Sequence, residues 1–227
     1  PISAAAIAAS GLPLIGAIVG VVTVTLFLSY GIGRLLGLDD RLATLVSCGN
    51  SICGNSAIMA AAPAIDARAE DVAASIGFTA VLGIAVVVLL PLAAPLLGLD
   101  DWQYGVVAGL SVYAVPQVLA ATVPVATLSA QIGTMVKLVR VLMRGPVVLA
   151  VGVRHGRRGG ARLPLSVLVP WFILGFLALM LARSFGVLPE AAVGPLNAAP
   201  YDLTLGAMAA PGLSVDLRSG MASGGRG

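Results

Sequence analysis

The chain has 227 residues, of which 59% are hydrophobic and 10% are charged, and its formal net charge is +3. Soluble domains carry about 25% charged residues, so this composition excludes an ordinary soluble protein and indicates a membrane protein. The basic residues fall mainly in loops, where they set the orientation of membrane helices. We therefore expect the lipid bilayer as a partner and no nucleic acid.

Seven apolar segments follow one another along the chain. They lie at residues 12–36, 42–66, 72–97, 104–124, 128–152, 164–185 and 201–217. Crossing a bilayer takes about 20 mostly apolar residues, and these runs are too long for barrel strands. The sequence therefore predicts an all-α membrane protein with about seven transmembrane helices, a single transmembrane domain over 1–227, and no second, soluble domain.

Basic residues are unevenly distributed between the predicted loops. If the basic loop at 153–163 is cytoplasmic, the opposite side has only Arg68 and Arg183. The arginines on the cytoplasmic side are then Arg34, Arg41, Arg154, Arg157, Arg158, Arg162, Arg218 and Arg226. This distribution agrees with the positive-inside rule and predicts a cytoplasmic loop at 153–163.

The second segment is interrupted by a small, polar stretch that contains a glycine. Its residues of interest are Asn50, Ser51, Gly54, Asn55 and Ser56. Unwound backbone at hydrocarbon depth is tolerated only where it is buried in protein or lines a watery cavity, and discontinuous helices form midplane binding sites in secondary transporters. We expect a half-helix to begin near Ser56, with N–H groups that favour an anion. The alternative is that these polar residues only cement helix packing.

The fourth segment has a second polar interruption, around Pro116, which lacks a backbone donor. Tyr113 and Gln117 lie four residues apart there, which places them on one helical face where they can share a ligand. A proline kink with a tyrosine bonded to a neighbouring carbonyl is the alternative.

Both interrupted segments follow the same tetrapeptide, Gly-Leu-Asp-Asp, at residues 37–40 and 98–101, which are 61 residues apart. This repetition has two interpretations. It arises from chance or from shared helix-end chemistry, or it marks two irregular helices that lie side by side as two walls of one site.

Lys137, Arg140 and Arg144 are spaced three and four residues apart in the fifth segment, which predicts one helical stripe. Charges inside a span usually face a cavity or a partner, although Arg140 and Arg144 can also extend to the interface if the span is placed differently. The acidic residues all lie in loops or at segment edges. A cation or proton carrier usually keeps a carboxylate in its pathway, so the sequence favours a small anion as the solute.

The two cysteines, Cys48 and Cys53, match no metal or redox spacing, and we expect neither a metal nor a cofactor. A membrane-embedded enzyme with Cys53 or Ser56 as nucleophile would need a neighbouring base. The only histidine, His155, lies in the predicted basic loop. We therefore expect that the protein is not an enzyme.

Four runs of sequence, in this order, resemble the bacterial YeiH-type proteins, a sulfate exporter family of transporters. They are SICGNSAIMAAAPAI (51–65), SVYAVPQVLAA (111–121), KLVRVLMRGPVVL (137–149) and PWFILGF (170–176). The resemblance covers essentially the whole chain. It implies a multi-pass bacterial inner-membrane protein related to the bile acid, arsenite and cation antiporter superfold, with inverted repeats and broken helices. It also implies further helices before Pro1 and after Gly227.

The chain departs from the family pattern at both interruptions. Tyr113 and Ala114 stand where family members often have His followed by an acidic residue. Asn50 and Asn55 stand where Thr and Ala are usual. These differences keep the stretches polar but remove a titratable group, so they do not support a proton-coupling role for position 113.

The sequence thus predicts a secondary transporter of a small anion, sulfate or a sulfonate, that works by alternating access around the broken helices. The predicted substrate-binding residues are Asn50, Ser51, Gly54, Asn55, Ser56, Tyr113, Gln117, Lys137 and Arg140. Two alternatives stay open: an incomplete transporter without activity by itself, and the membrane-embedded enzyme. Association of identical chains is a further expectation.

Overall fold

The computed structural model describes residues 4–155, with side chains from residue 13 onward, and residue 175. The chain divides into two compact units, Pro1–Arg162 and Leu163–Gly227, and the predicted segments at 164–185 and 201–217 lie outside the described residues. Within residues 4–155 the regular structure is all helical, as predicted. The α-helices there are α1 Ala4–Leu35, α2 Asp40–Ser51, α3 Asn55–Ala61, α4 Ala69–Leu96, α5 Asp101–Ser111, α6 Val115–Thr122, α7 Thr127–Leu142 and α8 Arg144–Arg154.

Two of the described helices are long and apolar enough to cross a membrane, over Pro13–Leu35 in α1 and Ala69–Leu96 in α4. They correspond to the predicted segments 12–36 and 72–97. Their outer faces expose large apolar side chains, such as Phe27 at 67% and Val81 at 69%. Contiguous apolar surface of this kind is rare on soluble monomers and marks contact with lipid or protein.

The buried face of α4 carries mainly small and polar side chains. An amphipathic helix in water has the opposite arrangement, because it buries its apolar face. Its buried residues are Asp71, Ser75, Thr79 and Gly83, followed near the end by Ala94. The first four recur every fourth residue and so lie on one face. Helices α2, α3 and α6 pack against α4. We call Asp71, Ser75, Thr79 and Gly83 the inner row of α4, because it is this face that the protein covers.

The repeated tetrapeptide at residues 37–40 and 98–101 corresponds to a structural repeat. Helices α1 and α4 end at Leu35 and Leu96, and helices α2 and α5 begin at Asp40 and Asp101, in both cases 61 residues apart. Each copy consists of a long helix, a short connection, a helix of 11 or 12 residues, a break, and a helix of seven or eight residues.

Helix-end chemistry in the two connections explains the shared tetrapeptide. Gly37 (φ +85°) and Gly98 (φ +62°) end the long helices in a backbone conformation that favours glycine. Asp39 and Asp100 then cap α2 and α5, each accepting a hydrogen bond from a backbone N–H of the first turn, at 3.3 and 2.7 Å. Shared helix-end chemistry and a true repeat are therefore both present.

The predicted segments at 42–66 and 104–124 are both discontinuous helices, as expected. The first break contains Gly54, whose φ of +62° and ψ of −127° are open to glycine and strained for other residues. In the second break Val112 and Ala114 have extended backbone, with ψ of 147° and 150°. Pro116 follows, and it cannot donate the hydrogen bond that the Val112 carbonyl would receive in a continuous helix.

The predicted segment at 128–152 consists of two helices rather than one. Helix α7 ends at Leu142 and α8 begins at Arg144. Pro146 lacks the N–H group that would bond to the Leu142 carbonyl, so the helical ladder stops there. Lys137 and Arg140 therefore lie on α7, whereas Arg144 begins the next helix, so the three residues do not belong to one continuous helix as predicted.

Helices α5 and α7 approach each other through glycines. A Cβ atom added to Gly109 would lie 2.5 Å from the carbonyl oxygen of Gly133, and one added to Gly105 would lie 2.8 Å from that of Ser129. Small residues permit such close approach between membrane helices. This contact places the second half of α7 beside the break between α5 and α6.

Candidate solute-binding site

A break in a helix leaves backbone carbonyls without their helical donors, and Lys137 of α7 supplies donors to both breaks. Its ammonium nitrogen donates to the carbonyl of Ile52 at 2.8 Å and to that of Val112 at 2.7 Å. The first carbonyl follows the end of α2, and the second follows the end of α5. One side chain thus joins the carboxyl ends of two half-helices.

Arg140, one turn further along α7, donates to three more carbonyls. Its Nε atom donates to Ser51 at 2.7 Å, and its two Nη atoms donate to Asn50 and Leu110. Arg140 is 2% exposed, so its side chain points into the protein and does not extend to an interface. We call the two breaks (residues 50–54 and 110–114) together with Lys137 and Arg140 the junction.

Counted as an ammonium and a guanidinium group, Lys137 and Arg140 give the junction a formal excess of positive charge. Lys137 is 0% exposed, and within residues 13–155 neither it nor Arg140 forms an ion pair with a carboxylate. Each helix carboxyl end carries about half a negative charge, so two such ends offset about one of the two positive charges. The remaining positive charge favours an anion nearby.

Tyr113 brings the two breaks into contact. Its hydroxyl donates to the amide oxygen of Asn50 at 2.9 Å, and its ring lies so close to Gly54 that an added Cβ there would be 3.1 Å from the tyrosine Cβ. On the other side, a Cβ added to Gly83 of α4 would be 3.1 Å from the ring. The expectation that the two irregular helices lie side by side is confirmed within the described residues.

Gln117 lies in the first turn of α6 and also packs against Gly83. Its amide oxygen accepts a hydrogen bond from the backbone N–H of Ala114 at 3.2 Å. Tyr113 lies in the break and Gln117 lies in the helix that follows, so the two do not share a face of one continuous helix. They meet instead at the same glycine of α4.

The serines and asparagines of the first break have different surroundings. Ser51 is buried, and its hydroxyl donates to the carbonyl of Ser47 at 2.6 Å. Asn55 and Ser56 begin α3 as predicted, and both are exposed. The Thr79 hydroxyl donates to the Asn55 amide oxygen at 2.9 Å. Exposed polar groups in the middle of a predicted span require a watery cavity or covering protein.

A cavity of about 490 Å³ lies between α1, α2 and α4 and reaches Asn50. Its polar lining comes from Thr25, Ser29 and Asn50, and the other residues that line it are mostly apolar. The Asn50 side-chain nitrogen donates to the Ser29 hydroxyl at 2.9 Å. The Asn50 amide therefore lies between this cavity and Tyr113.

Three residues of the site were missed by sequence reasoning: Ser29, Thr79 and Gly83. A signal for the last two is present, because the inner row of α4 repeats every four residues within an otherwise apolar segment. An average of hydropathy over the segment hides that row. Ser29 gives no comparable signal, since a single serine in an apolar helix is common.

The family model described as conserved hypothetical protein 698 matches residues 1–226 of the chain. The chain belongs to this family. A UPF0324 membrane protein of Agrobacterium fabrum is 58% identical over 213 residues, which are 94% of this chain and 61% of the relative. A UPF0324 membrane protein of Brucella suis is 58% identical over 226 residues, 99% of this chain and 67% of the relative. One of Bacillus anthracis is 35% identical over 202 residues, 88% of this chain and 59% of the relative.

The chain thus spans about three fifths to two thirds of the length of these relatives. No solved structure matches it. The names of the relatives, together with the two membrane-capable helices, confirm that this is a membrane protein family. Those names state no solute, so the sulfate exporter assignment, the inner membrane, the seven spans and the antiporter superfold stay predictions.

Proposed function

We propose that the protein is a secondary transporter that moves a small anion, such as sulfate or a sulfonate, across the bacterial inner membrane by alternating access. The observation that carries this proposal is the pair of basic side chains at the junction, Lys137 and Arg140, which are buried without a described carboxylate partner. Intramembrane charges usually mark a solute pathway, and discontinuous helices form midplane sites in transporters. An anion is the solute that completes the charge balance.

The predicted site residues then divide into two groups. Asn55 and Ser56 are exposed, Asn50 borders the cavity, and Gln117 is half-buried, so these four offer amide and hydroxyl groups to the anion. The remaining residues fix the two breaks and act on the anion through their charge or their backbone. These are Ser51, Gly54, Tyr113, Lys137 and Arg140.

Uptake of radiolabelled sulfate and methanesulfonate into proteoliposomes tests this division. Asn55→Ala combined with Ser56→Ala removes two hydrogen-bonding groups, and each is worth about tenfold in affinity, so we expect uptake below a tenth of wild type at subsaturating anion. Ser51→Ala is the matched control, because that hydroxyl is buried and donates within α2, whereas Ser56 is exposed. Wild-type uptake by the double variant contradicts the site, and so does an equal loss in both variants at equal amounts of folded protein.

The same assay addresses the alternative of a chain that is inactive by itself. Uptake by this chain is compared with uptake by the Agrobacterium fabrum relative, of which the chain covers 61%. If the relative takes up the anion and this chain does not, the result favours a chain that is inactive by itself. Labelling gives the orientation: a single cysteine at Arg158 that reacts with an impermeant reagent from outside the cell contradicts a cytoplasmic loop at 153–163.

The membrane-embedded enzyme has less support. The sulfur of Cys53 lies 2.7 Å from the hydroxyl of Ser56, but a base is needed beside one of them. His155 bonds instead to Asp40, at 2.8 Å. We therefore favour transport over catalysis, and we also expect that iodoacetamide leaves uptake intact.

A further inference from the structure

The Lys137 ammonium group is bound by carbonyls of the kind that coordinate a cation in broken-helix transporters. In such proteins, unwound carbonyls and the carboxyl ends of half-helices coordinate a monovalent cation. Here the carbonyls of Ile52 and Val112 come from two half-helix ends, and both accept from Lys137, at 2.8 and 2.7 Å. The side chain is 0% exposed.

Among the described residues, Lys137 is the donor to these two carbonyls. Arg140 donates to Asn50, Ser51 and Leu110, so its contacts do not overlap with those of Lys137. Pro116 has no N–H group with which to complete the helical bond to Val112. Removing the ammonium group therefore leaves two buried acceptors beside two helix carboxyl ends, each with about half a negative charge.

We propose that the carbonyls of Ile52 and Val112 form a site for a small monovalent cation, and that Lys137 is a cation tethered in that site. The wild-type protein then needs no free cation there, whereas Lys137→Ala opens the site to an ammonium-type cation from solution. This inference goes beyond the proposed function. Its test measures stability and not uptake, so it can fail while anion transport holds, or hold while anion transport fails.

Chemical rescue of Lys137→Ala tests the site. n-Propylammonium contains the three side-chain carbons and the ammonium group that the substitution removes, while tetramethylammonium has the same charge and no N–H donor. Melting temperatures are compared with each cation, as its chloride, on the order of 0.1 M, so that a ligand of the folded state is detected. Lys137→Met is the matched control, because it fills the space and carries no charge.

We expect Lys137→Ala to melt about 5 °C or more below wild type, since two buried acceptors lose their donor. n-Propylammonium should restore at least half of that loss and tetramethylammonium none of it. Wild type and Lys137→Met should respond to neither cation. If Lys137→Ala cannot be isolated in plain buffer, recovery of folded protein only with n-propylammonium supports the proposal.

Four results would overturn the proposal. The first is that Lys137→Ala is as stable as wild type. The second is that n-propylammonium neither raises the melting temperature of Lys137→Ala nor allows its recovery. The third is that tetramethylammonium rescues Lys137→Ala as well as n-propylammonium does. The fourth is that wild type and Lys137→Met gain as much stability from n-propylammonium as Lys137→Ala does.

Discussion

The Tyr113 hydroxyl donates a hydrogen bond of 2.9 Å to the Asn50 amide oxygen, and this bond joins the two helix breaks through residues that are 63 positions apart in sequence. The Asn50 amide nitrogen in turn donates to Ser29 of α1 at 2.9 Å. Hydrogen bonds connected in this way strengthen one another in a low-dielectric interior. The two breaks are therefore held in register by side chains as well as by Lys137 and Arg140.

Tyr113→Phe should lower the free energy of unfolding by about 1 kcal/mol, because it removes one hydrogen bond and leaves the Asn50 amide oxygen without its donor. A double-mutant cycle with Asn50→Ala should recover most of that value as coupling. Tyr104→Phe is the control, since that hydroxyl donates to the Ala121 carbonyl at 2.7 Å and has no bond to Asn50. Equal coupling of both tyrosines to Asn50 would contradict the network.

Arg140→Lys should behave as a disruptive substitution. A guanidinium group reaches three carbonyls from fixed directions, whereas a single ammonium group on a shorter stem cannot. We expect a loss of about 1–3 kcal/mol in the free energy of unfolding, the cost of a buried acceptor without its donor. Arg34→Lys is the control, because Arg34 is exposed, and there the change should stay within about 0.5 kcal/mol. Similar losses at both positions would refute the capping role of Arg140.

Gly109→Ala should disrupt the contact between α5 and α7, because the added Cβ would lie 2.5 Å from the carbonyl oxygen of Gly133. Gly77 of α4 offers a matched control, since a Cβ there meets nothing within 4 Å. Inside a helix, alanine is about 1 kcal/mol more stabilising than glycine. Thermal unfolding should therefore give a lower melting temperature for Gly109→Ala and an equal or higher one for Gly77→Ala. The reverse order would show that the close approach of α5 and α7 is not required.

Asp40, outside the predicted spans, gives a pH-dependent prediction. The hydrogen bond of 2.5 Å from the Tyr30 hydroxyl is the main cause that holds the pKa of the Asp40 carboxyl below its ordinary value of 3.8. Burial opposes this shift, and His155 and Arg154 add to it. Because the folded state has the lower pKa, the stabilisation is complete above the unfolded pKa and is lost as the pH falls through the folded pKa.

Tyr30→Phe should therefore lower the melting temperature more at about pH 5 than at about pH 2.5. At the lower pH the Asp40 carboxyl becomes protonated in both proteins, so the hydrogen bond that favours its charged form contributes less. Melting curves across this range measure the gap between variant and wild type. A gap that does not change with pH would contradict the role of the Tyr30 hydrogen bond.

Much of the described fold follows from the order of residues alone. The apolar runs predicted α1 and α4, and the glycine and polar residues around 50–56 predicted the first break. The shared tetrapeptide predicted that the second broken helix has an equivalent position. These features are local, because helix ends and breaks depend on residues within one or two turns.

The partners of Lys137 and Arg140 could not be predicted in this way. The spacing indicated inward-facing charges, but the acceptors are backbone carbonyls 85 residues away at Ile52 and 90 residues away at Asn50. A sequence pattern shows side chains and does not show which carbonyls a break leaves without donors. The helix of Lys137 and Arg140 does not continue through Arg144 for a local reason, since Pro146 interrupts the helical hydrogen bonds.

The most direct test of the anion site is binding by the purified protein. Melting temperatures are compared with sulfate, methanesulfonate and phosphate on the order of 1 mM, against choline and ammonium chlorides at equal ionic strength, because a ligand of the folded state raises the melting temperature. We predict that at least one of these anions stabilises wild type and Ser51→Ala but not the variant with Asn55→Ala and Ser56→Ala. An anion site beside the junction would be contradicted if none of the anions stabilised the protein, if only the cations did, or if the double variant were stabilised equally.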